Sequence, residues 1–312
     1  MARITQQSSI HTTGTSYENE PVIKSDAASS DVMEWAASTG TSSIKIRENS
    51  ANDLVLDVEG NLELADRVAS ITSSTTVGAV FLYDVSADSD GGAWRKKCKG
   101  LSWFDEASSA TRSARSEFPA MALIVADEPS QNTIRIYDLD DPAMPLWMEF
   151  RRGAGSWSIG NMGLTDNSVS SLFALNGRLY VGQDSVSNLG VEEISFVDDH
   201  SYRYTAGSSN GGYYKGNIAE RLSSKGWQGS HSRGLLVNAV VNDVAATVLE
   251  GGELDSMGLV RPVIACATDG GVSVIHPSGD VYDIAGTTHP NNDINKVFFT
   301  EDGMVGYGFE AS

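Results

Sequence analysis

The sequence predicts an all-β protein, and three observations support this prediction. Short apolar runs bounded by turn residues recur along the 312-residue chain, as expected for strands. From residue 76 onward these runs form groups that repeat every ~40–50 residues, which is typical of β-propeller blades. Residues 1–75 are instead rich in Ser and Thr. We therefore predict β-propeller-like meander repeats preceded by an extended N-terminal segment.

Residues 1–75 contain two stretches in which apolar and polar side chains alternate. These are SIKIREN and LVLDVEGNLELA, and the EGN sequence in the second supplies a Gly-Asn pair that can reverse the chain between short strands. So few large apolar residues can barely offset the entropy lost when the segment becomes ordered. We expect the segment to pack against copies of itself or against a docking surface, or to be a partly disordered leader.

Residues 76–117 are predicted to be a lead-in to the β domain. The run VGAVFLY at its start has the composition of a buried strand. Near its end, FDEASSATRSARSEF forms either a short helix capped by Asp105 or an ordered loop. Three aromatic residues lie beside charged ones and favour docking onto the domain: Trp94, Trp103 and Phe104.

Residues 118–312 contain successive groups of strand-like runs. The first group is ALIVAD, TIRIYDL and LWMEF, and the second is VSSLFALNG, RLYVGQD, VEEISFVDD and SYRYTA. The third is LLVNAVVND, RPVIACATDGG, VSVIHPSGD and VYDIAG, and INKVFFTEDG and MVGYGFEA begin another. About three blades are fewer than the roughly four to eight of closed propellers. We therefore expect a domain that is incomplete at its C-terminus, with closure by a longer chain or by other chains.

Composition argues against several classes of function. The net charge of −19 disfavours nucleic acid as a partner, because its backbone attracts clustered Lys and Arg. The apolar runs are far shorter than the ~20 residues that span a bilayer, so we predict no membrane insertion. The N-terminus also lacks the apolar core of a signal peptide. Cys98 and Cys266 stand outside any CxxC or Cys/His cluster, which predicts two free thiols and fits assembly in a reducing cytoplasm.

The stretch DVSADSDGGAW, residues 84–94, is a structural turn, a calcium loop or part of an enzyme. An EF-hand register would use Ser86, Asp88, Asp90 and Gly91. That register places Lys97 where a bidentate Glu is required, so the cation would repel the metal. The stretch is also a near miss of the Asp-box hairpin of sialidase-like propellers, with Asp90 in place of a glycine and Trp94 one position late. We favour a turn without metal.

No motif predicts catalysis. The sequence lacks G-x-S-x-G, zincin and P-loop signatures. The histidines are isolated, so each fits a surface or core role better than a catalytic one: His11, His200, His231, His276 and His289. In YDLDDP, Asp138, Asp140 and Asp141 could supply an acid pair for glycoside hydrolysis, but the adjacent proline favours a solvated hairpin tip. We therefore predict no catalytic, cofactor-binding or metal-binding residue.

The basic run WRKKCKGLSWF has two alternative roles. Basic residues interleaved with aromatics can bind single-stranded nucleic acid, but the overall charge argues against that use. We favour ion pairs between its cations, together with Arg112 and Arg115, and the many carboxylates, either across an interface or on the domain's own surface.

Two glycine-rich stretches in residues 207–234 are candidates for ligand contact. GSSNGGYYKGN and GWQGSHSRG place aromatic and amide groups on loops, which suits sugar stacking and hydrogen bonding. A plain loop between blades is the alternative. The candidate glycan or partner contacts are Asn210, Tyr213, Tyr214 and Trp227.

Three successive pieces of residues 81–150 resemble a block found in structural proteins of marine bacteriophages. They are LYDVSADSDGGAWRKKCKGLSWFDE, ATRSARSEFPAMALIVAD and IYDLDDPAMPLWMEF. The rest of the chain resembles the propeller-like body that follows this block. The upstream LVLDVEGNLELA resembles the short β repeats that precede the distal domains of trimeric phage fibres. The resemblance implies a virion component and transfers no catalytic residue.

Two hypotheses follow. In the first, the protein is a non-enzymatic tail or head fibre or appendage subunit of a virion assembled in the host cytoplasm. Residues 1–75 then organise a homo-oligomer, with a trimer favoured, and attach it to tail, portal-adaptor or capsid proteins, while the β domain is presented to a host-surface glycan. In the second, the propeller is a carbohydrate-active enzyme that depolymerises host polysaccharide.

Overall fold

The computed structural model contains two compact units, residues 1–69 and 70–312. It describes the backbone of residues 22–24, 31–36, 43–48 and 54–59, and residues 76–128, 133–151, 168–184, 190–206, 212–223, 225–229, 235–285 and 293–308. The described strands all pair antiparallel with their neighbours, and the helices between them are single turns. Within these ranges, no helix has the length and apolar character needed to cross a membrane. The prediction of an all-β fold is confirmed.

The first unit contains one antiparallel sheet. Its strands follow chain order: β1 (Val22–Lys24), β2 (Asp31–Ala36), β3 (Ser43–Glu48) and β4 (Leu54–Glu59). The predicted stretches SIKIREN and LVLDVE supply β3 and β4, which pair with each other. Sequence reasoning missed β1 and β2. The NLELA part of the predicted hairpin lies outside the described residues.

Sheet one of the second unit is a meander with one long connection. Its strands are β5 (Thr76–Asp84), β6 (Met121–Glu128), β7 (Thr133–Asp138) and β8 (Leu146–Arg151). The connection from β5 to β6 carries a 3-10 turn, η1 (Val85–Ala87), and a helical turn, α1 (Trp94–Lys97). Residues 104–118 form the ordered loop that was one of the two predicted alternatives. The predicted lead-in therefore consists of β5 and this connection.

Sheet two has six strands. They are β9 (Ser168–Leu175), β10 (Arg178–Asp184), β11 (Val191–Ser195), β12 (His200–Tyr204), β13 (Gly212–Tyr214) and β14 (Trp227–Gly229), with a 3-10 turn, η2 (Ile218–Glu220), between the last two. The first four match the predicted group. The short strands β13 and β14 lie in the stretches that the sequence analysis treated as glycine-rich loops.

Sheet three and a final hairpin complete the described chain. Sheet three contains β15 (Val241–Thr247), β16 (Val263–Thr268), β17 (Gly271–Ile275) and β18 (Val281–Ile284), and the hairpin is β19 (Lys296–Phe299) with β20 (Val305–Gly308). The first strand begins at Val241, whereas the predicted run LLVNAVVND begins at Leu235.

The sheets of the second unit stack in sequence through their first strands. Strand β5 contacts β9, β9 contacts β15, and β15 contacts β19. This is the arrangement of the inner strands in successive propeller blades. The largest apolar cluster combines side chains of sheets one and two, including Trp94, Trp147 and Phe196, and a second cluster joins Tyr180 of sheet two to Ile264 of sheet three. Sheet two is therefore packed against sheet one on one side and against sheet three on the other.

Candidate functional site

The stretch DVSADSDGGAW is organised around the buried carboxylate of Asp88. One oxygen, Oδ2, accepts hydrogen bonds from the Tyr83 hydroxyl at 2.7 Å and the Trp94 indole nitrogen at 2.6 Å. The other, Oδ1, accepts one from the backbone nitrogen of Asn176 at 2.6 Å. Burial raises the pKa of Asp88, and these hydrogen bonds oppose the shift. Protein donors thus occupy both oxygens, as expected for a structural turn.

The partner of this stretch is the Asn176–Gly177 turn between β9 and β10. The Asn176 side chain accepts from the Ser89 backbone nitrogen at 2.8 Å and donates to the Val260 carbonyl at 2.7 Å. Asn176 and Gly177 both have positive φ, and a Cβ on Gly177 would lie 2.6 Å from a methyl group of Val197. The backbone conformation therefore favours Asn at position 176, and conformation together with close packing requires Gly at position 177.

The predicted docking aromatics lie at the interface between sheets one and two. Trp94 and Trp103 are fully buried, and Phe104 packs against the same cluster while partly exposed. The Trp103 indole nitrogen donates to the Phe196 carbonyl at 2.8 Å. Trp103 also meets the Phe196 ring edge-on at a centroid distance of 5.6 Å. These residues therefore join the long connection of sheet one to β11 and the turn that follows it.

The acids considered for glycoside hydrolysis hold the loop before β6. Both oxygens of Asp138 lie 2.7 Å from Nη1 of Arg115, and Asp140 accepts from Nη2 of Arg115 at 2.6 Å. Asp140 also accepts from the backbone nitrogens of Ala120 and Met121. Burial acts to raise the pKa of Asp140, but these hydrogen bonds outweigh it and the pKa is lowered. Asp138 is buried, so the predicted solvated hairpin tip is wrong for this residue.

Cations near the basic run are engaged within the protein. Arg95 lies 3.2 Å from Glu117, and Lys97 lies 3.1 Å from Asp90. Arg112 is buried and donates to several backbone carbonyls, including that of Trp103. Burial lowers the pKa of Arg112 to about 10. The ion pairs of Arg95 and Lys97 agree with the predicted alternative of pairing on the domain's own surface.

The described histidines and cysteines do not form a catalytic cluster with one another. His276 is exposed, and its Nδ1 lies 2.8 Å from Ser278 in the turn after β17. His11, His231 and His289 lie outside the described residues. Cys98 and Cys266 are buried free thiols. Burial raises the pKa of Cys98 to about 12 and raises that of Cys266 as well, so both favour the neutral thiol.

The predicted glycan contacts divide between two faces of sheet two. Tyr213 is 39% exposed, whereas Tyr214 is fully buried, with its hydroxyl 2.7 Å from the Ser223 carbonyl. Trp227, on β14, lies partly buried against Tyr214 at a ring distance of 5.7 Å. Asn210 lies outside the described residues. The Tyr214 ring is therefore packed inside the domain and is not accessible to a surface ligand.

One face of the outer strands of sheet two carries clustered aromatic rings, and we call His200, Tyr202 and Tyr213 the aromatic face. The His200 ring lies 4.9 Å from Tyr202 and 5.6 Å from Tyr213. Tyr213 pairs with Tyr202 on one side and with the exposed Gln228 on the other, which places all of them on one side of the sheet. This face adjoins a cleft between sheets two and three, lined in part by Glu193, Tyr204, Arg261 and His276.

Sequence reasoning missed the buried arginines of sheet two. Arg178 lies 2.9 Å from both Asp198 and Asp255, and it contacts Glu193 at 3.3 Å. Arg203, on β12, lies 2.9 Å from Glu192 on β11. A cation inside a strand that also carries buried apolar residues, as in RLYVGQD, was the available signal, because buried charges require partners.

No protein-family model matches the chain, and no curated protein matches it either. Two solved structures show a distant similarity. BBS1N, solved in complex with ARL6DN, has a TM-score of 0.26 and 11% identity, over 91% of this chain and 71% of that one. The extracellular domain of BT4673 from B. thetaiotaomicron has a TM-score of 0.18 and 11% identity, over 91% of this chain and 32% of that one. Similarities at this level support no inference about this chain.

Proposed function

We propose that the protein is a non-enzymatic subunit of a bacteriophage virion, a tail or head fibre or appendage, whose β domain recognises a glycan on the host surface. Residues 1–75 attach it to the particle and organise its oligomer. The sequence resemblance of residues 81–150 to phage structural proteins supports the virion assignment. The acidic composition is compatible with a soluble, densely displayed surface component.

The main support for glycan recognition is the aromatic face. Sugars bind to proteins through stacking on aromatic rings combined with a few directional hydrogen bonds. The exposed ring of Tyr213 lies beside His200, and the exposed amide of Gln228 follows on the next strand. The adjoining cleft adds the polar side chains of Arg261 and His276. Aromatic and polar groups thus occur together on one side of the sheet.

Two features favour recognition over cleavage. Hydrolysis of a glycosidic bond needs two carboxyl groups that flank the bond. The acids proposed for that role, Asp138 and Asp140, are both bound to Arg115, and Asp138 is buried. Asp88 is likewise engaged by protein donors on both oxygens. These carboxylates therefore have structural roles.

The proposal is tested by measuring the binding and the cleavage of host glycans in the same samples. The protein is titrated with oligosaccharides prepared from host capsule or lipopolysaccharide, and the mixtures are then examined for newly released fragments. We expect binding without release, and we expect Tyr213→Ala to weaken it roughly tenfold, the scale of a lost aromatic contact. Tyr282→Ala, at a tyrosine 62% exposed on sheet three, is the matched control and should bind normally.

Other results would contradict specific parts of this proposal. Fragments released in proportion to protein concentration would establish the depolymerase alternative. Absence of binding to any host glycan would refute the recognition function. Mass spectrometry and labelling of purified particles test the virion assignment separately, because a protein absent from the particle is not a virion subunit.

A further inference from the structure

Among the described residues, three buried donors in one stacked pair of side chains have no hydrogen-bond partner. They are Nε and Nη1 of Arg203 and Nε1 of Trp227. The guanidinium carbon of Arg203 lies 3.8 Å from the centre of the Trp227 ring. A cation–π contact stabilises the charge but provides no acceptor for N–H groups in the guanidinium plane. Buried donors without acceptors are destabilising and are rare in native proteins. The pair is therefore suited to a ligand that supplies acceptor oxygens.

The strand register places two glycines beside this pair. Arg203 on β12 is directly opposite Gly212 on β13, and Gly212 is directly opposite Gly229 on β14. Paired residues share a face of the sheet, so two positions without side chains lie between Arg203 and the sheet edge. We call Gly212 and Gly229 the glycine lane. Glycine inside a strand commonly marks the close approach of a ligand or another backbone.

The charges around Arg203 determine whether a neutral or an anionic acceptor is favoured. Its Nη2 donates to Oε2 of Glu192 at 2.9 Å, and Ser201 donates to Oε1 of the same carboxylate at 2.8 Å. The arginine is thus already neutralised, in a protein with a net charge of −19. An additional anion would gain little from this ion pair and would be repelled by the protein as a whole. Uncharged oxygens, such as hydroxyl or acetamido carbonyl groups, satisfy the donors without that cost.

We propose that Arg203, Trp227 and the glycine lane form a binding subsite for a neutral sugar residue, whose oxygens accept from the three free donors. The inference rests on the proposed glycan recognition and adds a second contact region, for which it specifies a neutral sugar. Arg203 is 0% exposed, so the indole of Trp227 moves aside when the sugar enters. That motion is available because β14 has three residues and, among the described strands, pairs with β13 alone at the edge of the sheet. The subsite and the aromatic face lie on opposite sides of the same outer strands.

The experiment uses three defined oligosaccharides with the full chain. Chitotriose carries neutral acetamido groups, maltotriose carries hydroxyl groups alone, and trigalacturonate carries carboxylates. Binding is measured by calorimetry, and the Trp227 indole N–H is followed by NMR with ¹⁵N-labelled protein. Trp227→Phe removes the N–H and keeps a stacking ring, while Tyr282→Phe on sheet three is the control. Thermal unfolding verifies that both variants fold.

We expect a neutral trisaccharide to bind, to shift the Trp227 indole resonance, and to bind roughly five- to tenfold more weakly to Trp227→Phe, the scale of one lost hydrogen bond. Tyr282→Phe should bind like the native chain. Preference for trigalacturonate would overturn the assignment of a neutral sugar. Neutral binding that leaves both the indole resonance and the Trp227→Phe affinity unchanged would overturn the subsite but leave glycan recognition standing. Failure of all three probes, together with failure of host glycans, would refute the proposed function and this inference with it.

Discussion

The carboxylate of Asp88 accepts a hydrogen bond from the backbone nitrogen of Asn176 at 2.6 Å, across 88 positions of sequence. This contact joins the connection after β5 in sheet one to the β9–β10 turn in sheet two. Tyr83 adds a second connection between the two sheets, because its hydroxyl donates to Asp88 and accepts from the Gly177 nitrogen at 2.9 Å. The acidic, glycine-rich stretch therefore connects sheets one and two of the β domain.

Asp88→Asn should destabilise the β domain by about 1–3 kcal/mol, since the amide can satisfy only some of the three donors that meet the carboxylate. Urea unfolding followed by tryptophan fluorescence measures the change. Asp105→Asn, at an exposed aspartate, is the control and should change the free energy of unfolding by less than about 0.5 kcal/mol. Calcium should not raise the melting temperature of the native chain. A calcium-dependent increase that Asp88→Asn abolishes would contradict the structural role.

Cys98 should make folding sensitive to alkaline pH. Burial raises the pKa of its thiol to about 12 in the folded state, so the folded protein holds this proton more tightly than the unfolded chain does. The resulting stabilisation is fully present below the ordinary thiol pKa near 9 and is lost as the pH rises through 12. Urea unfolding at several pH values should show this decline, and Cys98→Ala should reduce it. An identical pH dependence in the variant would contradict the assignment.

Thiol labelling offers an independent measurement of the same burial. Cys98 and Cys266 are both buried, so a thiol reagent at neutral pH should modify them only as fast as the domain opens. Labelling should accelerate across the urea transition. Rapid reaction of both thiols in native buffer would show that the surrounding core is open.

Arg178→Met should be among the most destabilising substitutions in the β domain. It would leave Glu193, Asp198 and Asp255 without their shared cation, and the loss of one partner from a buried ionic group costs about 3–5 kcal/mol. Lys296→Met is the matched control, because Lys296 is 75% exposed and lies 3.6 Å from Asp243. Such surface pairs contribute about 0–1 kcal/mol. Equal effects of the two substitutions on chemical denaturation would contradict this difference.

Strand propensity and turn residues predicted most of the β domain, because each strand has its signal within a few adjacent residues. The strands β13 and β14 were missed for a physical reason. Both contain glycine, which weakens the local signal, and they are ordered by pairing with β12 and with each other. Tertiary context likewise decided the role of Tyr214, whose neighbour Tyr213 is exposed while Tyr214 itself is buried. Both tyrosines were predicted as glycan contacts from the sequence. Only the strand register shows that they lie on opposite faces of the sheet.

Charged contacts were less predictable, because their partners are distant in sequence. Arg178 and Asp255 are 77 positions apart, and Asp88 and Asn176 are 88 apart. Composition indicated an excess of carboxylates without showing which would be buried. Asp138 is an example. Its neighbouring turn residues predicted exposure, but Asp138 is buried because Arg115, on another loop, forms an ion pair with it.

The full chain should be an oligomer, with a trimer expected from the resemblance of its N-terminal region to trimeric phage fibres. The first unit contains one four-stranded sheet in a region with few large apolar residues, and such a sheet gains burial when identical copies pack around an axis. Light scattering should therefore give an oligomeric mass for the full chain and a monomeric mass for a shortened chain that begins at Ser70, the start of the second unit. A shortened chain that stays oligomeric would place the assembly surface in the β domain. A monomeric full chain, with residues 1–69 equally sensitive to protease on and off the particle, would refute the role proposed for the first unit.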